Sequence, residues 1–261
     1  MDINGLLADV AAPVRRWKIW FLMANQDISL RYRRSVLGPI WISLAMASLV
    51  LGLSILYSEV FRVDFHDYIV YIGCGFLAWF LIAGMISEGA MAVIEAEGQL
   101  RSLPLPIPLL VTRVVYRNLI MFVHNLVVVG ILLVIMNFRP GWEALLAIPA
   151  LVLYAITGLL LGVILAPIAA RFRDVPQVLT NILQIMFFLT PLFWLPSQTS
   201  DRRFFVDANP FYHLVELIRG PLLGETPALL SWGFTLLSIL VLGLLAFWTL
   251  AVSRRRVFLW L

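Results

Sequence analysis

Three arginines, Arg31, Arg33 and Arg34, crowd the last polar turn before an uncharged run that opens at Leu37-Gly38-Pro39-Ile40-Trp41. Guanidinium forks hold phosphate oxygens through paired donors, and the cytoplasmic flanks of membrane helices collect such charge. The pattern suits an anionic lipid head group where a chain lying on a bilayer turns into it. Other chemistry is absent. Lys18, preceded by Trp17, is the one lysine, so no glycine-rich loop ends in the Gly-Lys pair that cradles nucleotide phosphates. His66, His124 and His213 are dispersed and Cys74 stands alone, which leaves no metal-ligand or hydrolytic constellation and no intrachain disulfide. Cys74 reads as a small buried hydrophobe. His124 and Asn125 interrupt an apolar run, where a polar side chain needs either a partner on another helix or a substrate.

The elements that must hold these residues are membrane elements. Of 261 residues, 62% are hydrophobic and 13% charged, against about 45–50% and about 25% in soluble domains. Asp2, Asp9, Arg15, Arg16, Lys18, Asp27 and the three arginines break up the first 36 residues, a pattern that excludes a cleavable signal and predicts an N-terminus that stays inside. Residues 14–34 read as an amphipathic interface helix, with Val14, Trp17, Phe21, Ala24 and Ile28 at helical spacing. It is either a basic anchor that fixes orientation or a contact for membrane and cytoplasmic partner together. Six apolar runs follow, at 37–57, 69–87, 119–138, 144–170, 178–195 and 229–252, each close to the roughly 20 residues that cross a hydrocarbon core. The fold class is therefore all-α integral membrane, one transmembrane domain over 1–261 with six transmembrane helices. Of 19 Lys and Arg, Arg62, Arg139, Arg202, Arg203 and Arg219 fall on one set of flanks and the other fourteen on the opposite set, which predicts both termini in the cytoplasm. The first three runs do not repeat in the last three, against a secondary transporter of inverted halves.

Two inner connections carry charge. From Glu95 to Pro104 the chain ends a helix at Gly98, offers Leu100 and Leu103 among Glu95, Glu97 and Arg101, and is closed by Pro104, Pro106 and Pro108; it reads as a docking knob or an ordinary loop. In Arg171-Phe172-Arg173-Asp174-Val175-Pro176-Gln177, Asp174 precedes Gln177 by three, the spacing of a capping box. The outer segment 196–227 is too long for a structureless tether. Asn209-Pro210 makes a helix start and Gly220-Pro221 a stop, with Phe211, Leu214, Val215 and Ile218 on one face and Phe204, Phe205 and Val206 upstream. Two short helices dipping back into the outer leaflet are predicted, as a gate or as a plain cover.

The pattern Asp27-x-x-x-Arg31-Tyr32-Arg33-Arg34-Ser35-x-Leu37-Gly38-Pro39-x-Trp41 resembles the N-terminal signature of type-2 ABC exporter permeases that move lipid-linked polysaccharide, among them the O-antigen (Wzm-like), teichoic-acid and capsule permeases. Arg171-Phe172-Arg173-Asp174, then Leu189-Thr190-Pro191-Leu192-Phe193-Trp194, then Asn209-Pro210-Phe211 with Arg219-Gly220, continue the resemblance through most of the chain. It implies a multi-pass protein of the bacterial inner membrane that pairs, as a homodimer, with two nucleotide-binding ATPase subunits. ATP and Mg would bind those subunits, with no cofactor on this chain and no nucleic acid partner. The interface helix, Glu95, Glu97, Leu100, Arg101, Leu103, Arg171, Arg173 and Asp174 would touch the ATPase. Phe204, Phe205, Asn209, Pro210, Phe211 and Arg219 would form periplasmic gate helices.

A single six-span bundle is too narrow for a hydrated glycan, which again predicts a homodimer with the path between protomers. Sugar rings pack apolar C–H faces on aromatic faces while their hydroxyls need intermittent polar partners. Trp41, Phe187, Phe188, Phe193 and Trp194 are the candidate channel lining, and Asn181, Gln184 and Thr190 lie at spacings of three and six residues on one stripe; the same aromatics also fit an interfacial belt. Rival readings are an exporter of the same architecture for teichoic acid, capsule, or a small lipid or drug, and a polytopic polyprenyl-phosphate glycosyltransferase. The last would need a carboxylate cluster on one membrane face.

Overall fold

Each long apolar run folds as a helix, because a chain in hydrocarbon must satisfy its backbone groups internally. The computed structural model describes residues 3–33, 40–196, 203–254 and 256–260. Arg34, the first span's expected start at Leu37 and residues 197–202 of the outer segment lie outside the described residues. α1 (Ile3–Arg15) and α2 (Trp17–Arg31) precede α3 (Ile40–Phe61), α4 (Phe65–Glu95), the single turn α5 (Glu97–Leu100) and α6 (Ile107–Ile135). A 3-10 turn, Trp142–Leu146, leads into α7 (Ala147–Arg171), followed by α8 (Val175–Leu189), α9 (Arg203–Asp207), α10 (Pro210–Leu222), α11 (Leu229–Ser253) and a last 3-10 turn, Val257–Leu259. Among the described residues there is no strand.

Among the described residues, five helical stretches are long and apolar enough to cross a membrane: Ser43–Phe61, Phe65–Glu95, Ile107–Ile135, Trp142–Arg171 and Leu229–Ser253. The chain is a multi-pass, all-helical membrane protein. Two spans run well past their apolar windows, because α4 carries Glu88 and Glu95, and α6 carries Arg113 and Arg117, within unbroken helix. The 178–195 run is shortened instead. Its helix, α8, has 15 residues, about 22 Å of rise against a core of about 30 Å. Thr190 is held extended (φ −88°, ψ 133°), since the residue before a proline is pushed out of the helical region, so Phe193 and Trp194 lie beyond the helix.

The N-terminal segment also departs from expectation. It forms two helices broken at Arg16, and α1 begins at Ile3. Of the five apolar residues that defined the expected face, Ala24 is buried whereas Val14 and Trp17 are exposed; Ile19, Trp20 and Met23 pack against the core instead. Trp20 explains the choice. Its Nε1 donates to the Pro13 carbonyl at 2.8 Å, tying α2 to α1, and its ring lies 5.4 Å from that of Tyr116 on α6.

α4 is the central post, with Val70, Ile72, Phe76, Ile82 and Met85 fully buried and α3, α6, α7, α8 and α10 packed around it. It packs closely on α7 through small residues, as helices in lipid do. A Cβ on Gly89 of α4 would lie 3.3 Å from Gly162 Cα of α7, and one on Gly162 would lie 2.3 Å from Val111 Cγ1 of α6. Gly162→Leu is therefore expected to destabilise by about 1–3 kcal/mol through overpacking, read as a lower thermal midpoint of the purified chain, whereas substitution at Gly243, where nothing lies within 4 Å of the added carbon, leaves the midpoint in place.

Several polar groups inside the spans have partners. Ser43 Oγ donates to Asn125 Oδ1 at 2.9 Å, joining α3 to α6, as a partner on another helix required. His124 instead bonds the Ile120 carbonyl of its own helix at 2.8 Å. Cys74 is fully buried.

Candidate functional site

One end of the bundle gathers α1, α2, α5, the end of α4, the start of α6, and the turn after α7. Arg113 and Arg117 lie one turn apart on α6, and Glu88 and Glu95 two turns apart on α4, so each pair presents one face. Arg117 reaches three carboxylates: Nε donates to Glu88 at 3.0 Å, Nη1 to Asp27 at 3.2 Å and Nη2 to Glu95 at 3.4 Å. Arg113 grips Asp27 with two nitrogens and gives Nη1 to Gln99 of α5 at 3.0 Å. Arg31 donates to the second oxygen of Glu88 at 2.9 Å, and Asn118 completes that carboxylate at 2.9 Å. Three arginines thus face three carboxylates. Burial of Arg113 and Arg117 is tolerable because all three nitrogens of each guanidinium donate, mostly to carboxylates. Arg31 is consequently a bridge between α2 and α4, while Arg33 is exposed.

The two inner connections meet beside this network. Glu97 takes Arg101 at 2.7 Å across one turn and Arg173 of the other connection at 3.9 Å. α4 breaks at Ala96, and Gly98, expected to end the helix, sits within α5. Leu103 is exposed as expected for a knob, but Leu100 is buried. The Arg171 guanidinium lies over the rings of Phe172 at 5.0 Å and Trp260 at 5.5 Å. Asp174 is the first-turn residue before α8, yet its side chain makes no capping bond. Its backbone is already helical (φ −84°, ψ −16°), whereas a capping side chain reaches back from an extended residue; the expected capping box does not form.

At the opposite end, residues 191–195 lie outside any helix, so their carbonyls need other donors. α4 and α10 provide them. Tyr68 donates to the Phe193 carbonyl, and Tyr71 lies 3.2 Å from the carbonyls of Pro191 and Trp194. Arg219 gives Nη1 to the Pro191 carbonyl and Nη2 to Glu216 at 2.6 Å, with its guanidinium 4.3 Å above the Tyr71 ring. Sequence reading left Arg219 on a polar flank, yet it is 2% exposed. Asn209 caps α10 by accepting from Phe211 N–H at 2.9 Å and donates Nδ2 to Thr190 at 3.0 Å, which fastens α10 to the end of α8. The stop expected at Gly220-Pro221 falls inside the last turn: α10 reaches Leu222, and Gly224 takes the left-handed backbone (φ +78°) that terminates helices. Pro210 and Phe211 begin α10, and upstream Phe204 and Phe205 are exposed on α9.

The aromatic candidates divide. Phe187 lies 5.4 Å from Phe76, 5.4 Å from Phe188 and 5.9 Å from Phe193, and 5.7 Å from Trp79. Trp194 donates its Nε1 to the Phe188 carbonyl at 3.1 Å. Trp41 stands apart, exposed near the start of α3. On α8, Asn181, Gln184 and Phe188 recur at three and four residues and are all exposed, one polar-aromatic stripe with no cover. Thr190 is buried and does not belong to it.

Sequence reasoning missed Glu88, Arg113, Arg117, Tyr68, Tyr71 and Glu216. The readable signal was the charge spacing, with Glu88 and Glu95 two turns apart and Arg113 and Arg117 one turn apart. Residues 19–223, from α2 to just beyond α10, match the ABC-2 type transporter family. A protein of Myxococcus xanthus named "O-antigen export system permease protein RfbA" is 29% identical over 197 residues, 74% of this chain and 75% of that protein. A Klebsiella pneumoniae protein of the same name is 21% identical over 199 residues, 74% of this chain and 76% of that one. With both ends of the helical bundle inside the matched region, the chain belongs to the ABC-2 type transporter family, as a membrane-spanning permease.

Proposed function

We propose that this chain is the permease subunit of an ATP-driven exporter that moves lipid-linked polysaccharide of the O-antigen type across a bacterial inner membrane. It acts as a homodimer with two ATPase subunits, which bind ATP and Mg. The observation that carries the substrate class is the likeness, over three quarters of each chain, to permeases named for O-antigen export. In this reading α8 and the 190–196 turn together make the fifth of six crossings, α9 and α10 dip into the outer leaflet as the gate, and the arginine-rich end faces the cytoplasm with both termini.

Coupling then has a physical route. A push from the ATPase on Glu97, Arg101, Leu103 or the Arg171–Asp174 turn reaches Arg113 through Gln99, passes to Asp27 of the interface helix, and enters α4 and α6 through Arg117. The exposed α8 stripe of Asn181, Gln184 and Phe188, with Trp41, faces the second copy and lines the conduit; Phe187, Phe193 and Trp194 back it. Arg33 and Arg34 receive the lipid phosphate, with Arg31 serving the network beside them.

Deleting the gene tests the assignment: surface polysaccharide disappears and lipid-linked glycan accumulates in the cell. Unchanged surface polymer with no precursor would leave small-lipid or drug export. In the complemented strain, Arg33→Gln/Arg34→Gln lowers surface polymer severalfold at unchanged permease abundance; full export by that variant removes the head-group role.

A further inference from the structure

Among the described residues, three buried hydroxyls have no hydrogen-bond partner: Tyr154, Thr157 and Thr235. Leaving such a group unpaired is unfavourable, and two of the three line one cavity. That cavity, about 510 Å³, is bounded by α4, α7, α8, α10 and α11 and is otherwise almost wholly apolar. Thr157 and Thr235 are 3% and 2% exposed. On the open side Ile182 of α8 and Leu237 of α11 line it while remaining 46% and 61% exposed, so it is a groove reached sideways, from the bilayer. It extends from Phe234 to Leu242 along α11, about 12 Å of helix rise.

We infer that this groove is a binding site for one acyl chain of an outer-leaflet glycerophospholipid, with the ester carbonyl accepting from Thr235 and Thr157. The depth fits. α11 has 25 residues, a rise of about 38 Å against a core of about 30 Å, so Thr235, six residues from its start, lies a few ångströms inside the outer hydrocarbon boundary, next to the ester level. Both hydroxyl oxygens are buried at the groove wall, and helical threonines occupy two side-chain rotamers, so pairing with a bound carbonyl requires a χ1 rotation. An isoprenoid tail has no acceptor along its length and would leave both hydroxyls unpaired; a single water could pair them but would leave the apolar remainder empty. The inference rests on the proposed function only for orientation, with the α10 end outward; neither the exported substrate nor the coupling route enters it.

Native mass spectrometry of the full chain, delipidated and then titrated with dioleoyl phosphatidylethanolamine or with a polyprenyl phosphate, tests it. One phosphatidylethanolamine binds per chain. Thr157→Val/Thr235→Val weakens that binding roughly tenfold, the equivalent of one to two net hydrogen bonds, while raising the melting temperature of the lipid-free chain, since the unpaired hydroxyls are gone. Val241→Trp, which fills the mouth, abolishes binding with the fold kept. Equal affinity in the double valine variant, or preference for polyprenyl phosphate in the wild type, overturns the inference. So does disulfide cross-linking of Val241→Cys between two copies, which would make the groove an interface between protomers.

Discussion

Arg117→Met is expected to destabilise the chain by about 3–5 kcal/mol, the usual penalty for removing one partner from a buried ion network. The reason is what it leaves behind. Glu88 keeps Arg31 and Asn118 and Asp27 keeps Arg113, but three carboxylates would then face two guanidiniums in a site that Arg117, 4% exposed, had filled. For a chain of this size the change corresponds to roughly 10 °C in melting midpoint, measured on the detergent-purified protein. A second substitution locates the cause. Glu88→Gln added to Arg117→Met restores the charge balance and recovers part of the loss, because contacting residues couple non-additively. Arg101→Ala, which removes only the exposed pair with Glu97, moves stability by less than about 1 kcal/mol. Equal midpoints for Arg117→Met and wild type would mean that the network is not assembled as described.

What was legible in the chain was what local sequence decides. Apolar runs gave the long helices, and Asn209-Pro210 gave the start of α10, because capping and proline act within one turn. The Thr190-Pro191 step carried its own stop signal for α8, but the apolar residues beyond it extended the run on paper. The ion network was illegible for a different reason. Asp27, Glu88, Glu95, Arg113 and Arg117 lie up to 90 residues apart, and a charge inside an apolar run reads as a boundary unless its partner is known. Once paired, it does not interrupt the helix, which is why α4 and α6 are longer than their uncharged windows. The same applies to Arg219: its helix position is local information, whereas the carbonyl it serves belongs to a turn 28 residues away.

Arg219 carries the second large effect. Arg219→Leu keeps the apolar bulk of α10 and removes a group that ties three elements together at this end of the bundle: Pro191 of the turn after α8, Glu216 of its own helix, and the face of Tyr71 on α4. The Pro191 carbonyl retains Tyr71, but Glu216, largely buried, is left charged without its counter-ion, and the expected loss is again about 3–5 kcal/mol. Arg219→Lys separates charge from shape. A lysine can restore the pairing with Glu216, but its single ammonium cannot also fork to the carbonyl and lie flat on the ring, so it recovers part of the stability. The two readouts then diverge. If α10 only covers the bundle, export follows stability, and Arg219→Lys transports in proportion to its folded fraction. If α10 is a gate whose position depends on the fork, Arg219→Lys assembles with the ATPase and hydrolyses ATP at the wild-type rate while surface polymer falls severalfold. Wild-type export by the lysine variant removes the gate reading and leaves Arg219 as the structural tie of the outer turn.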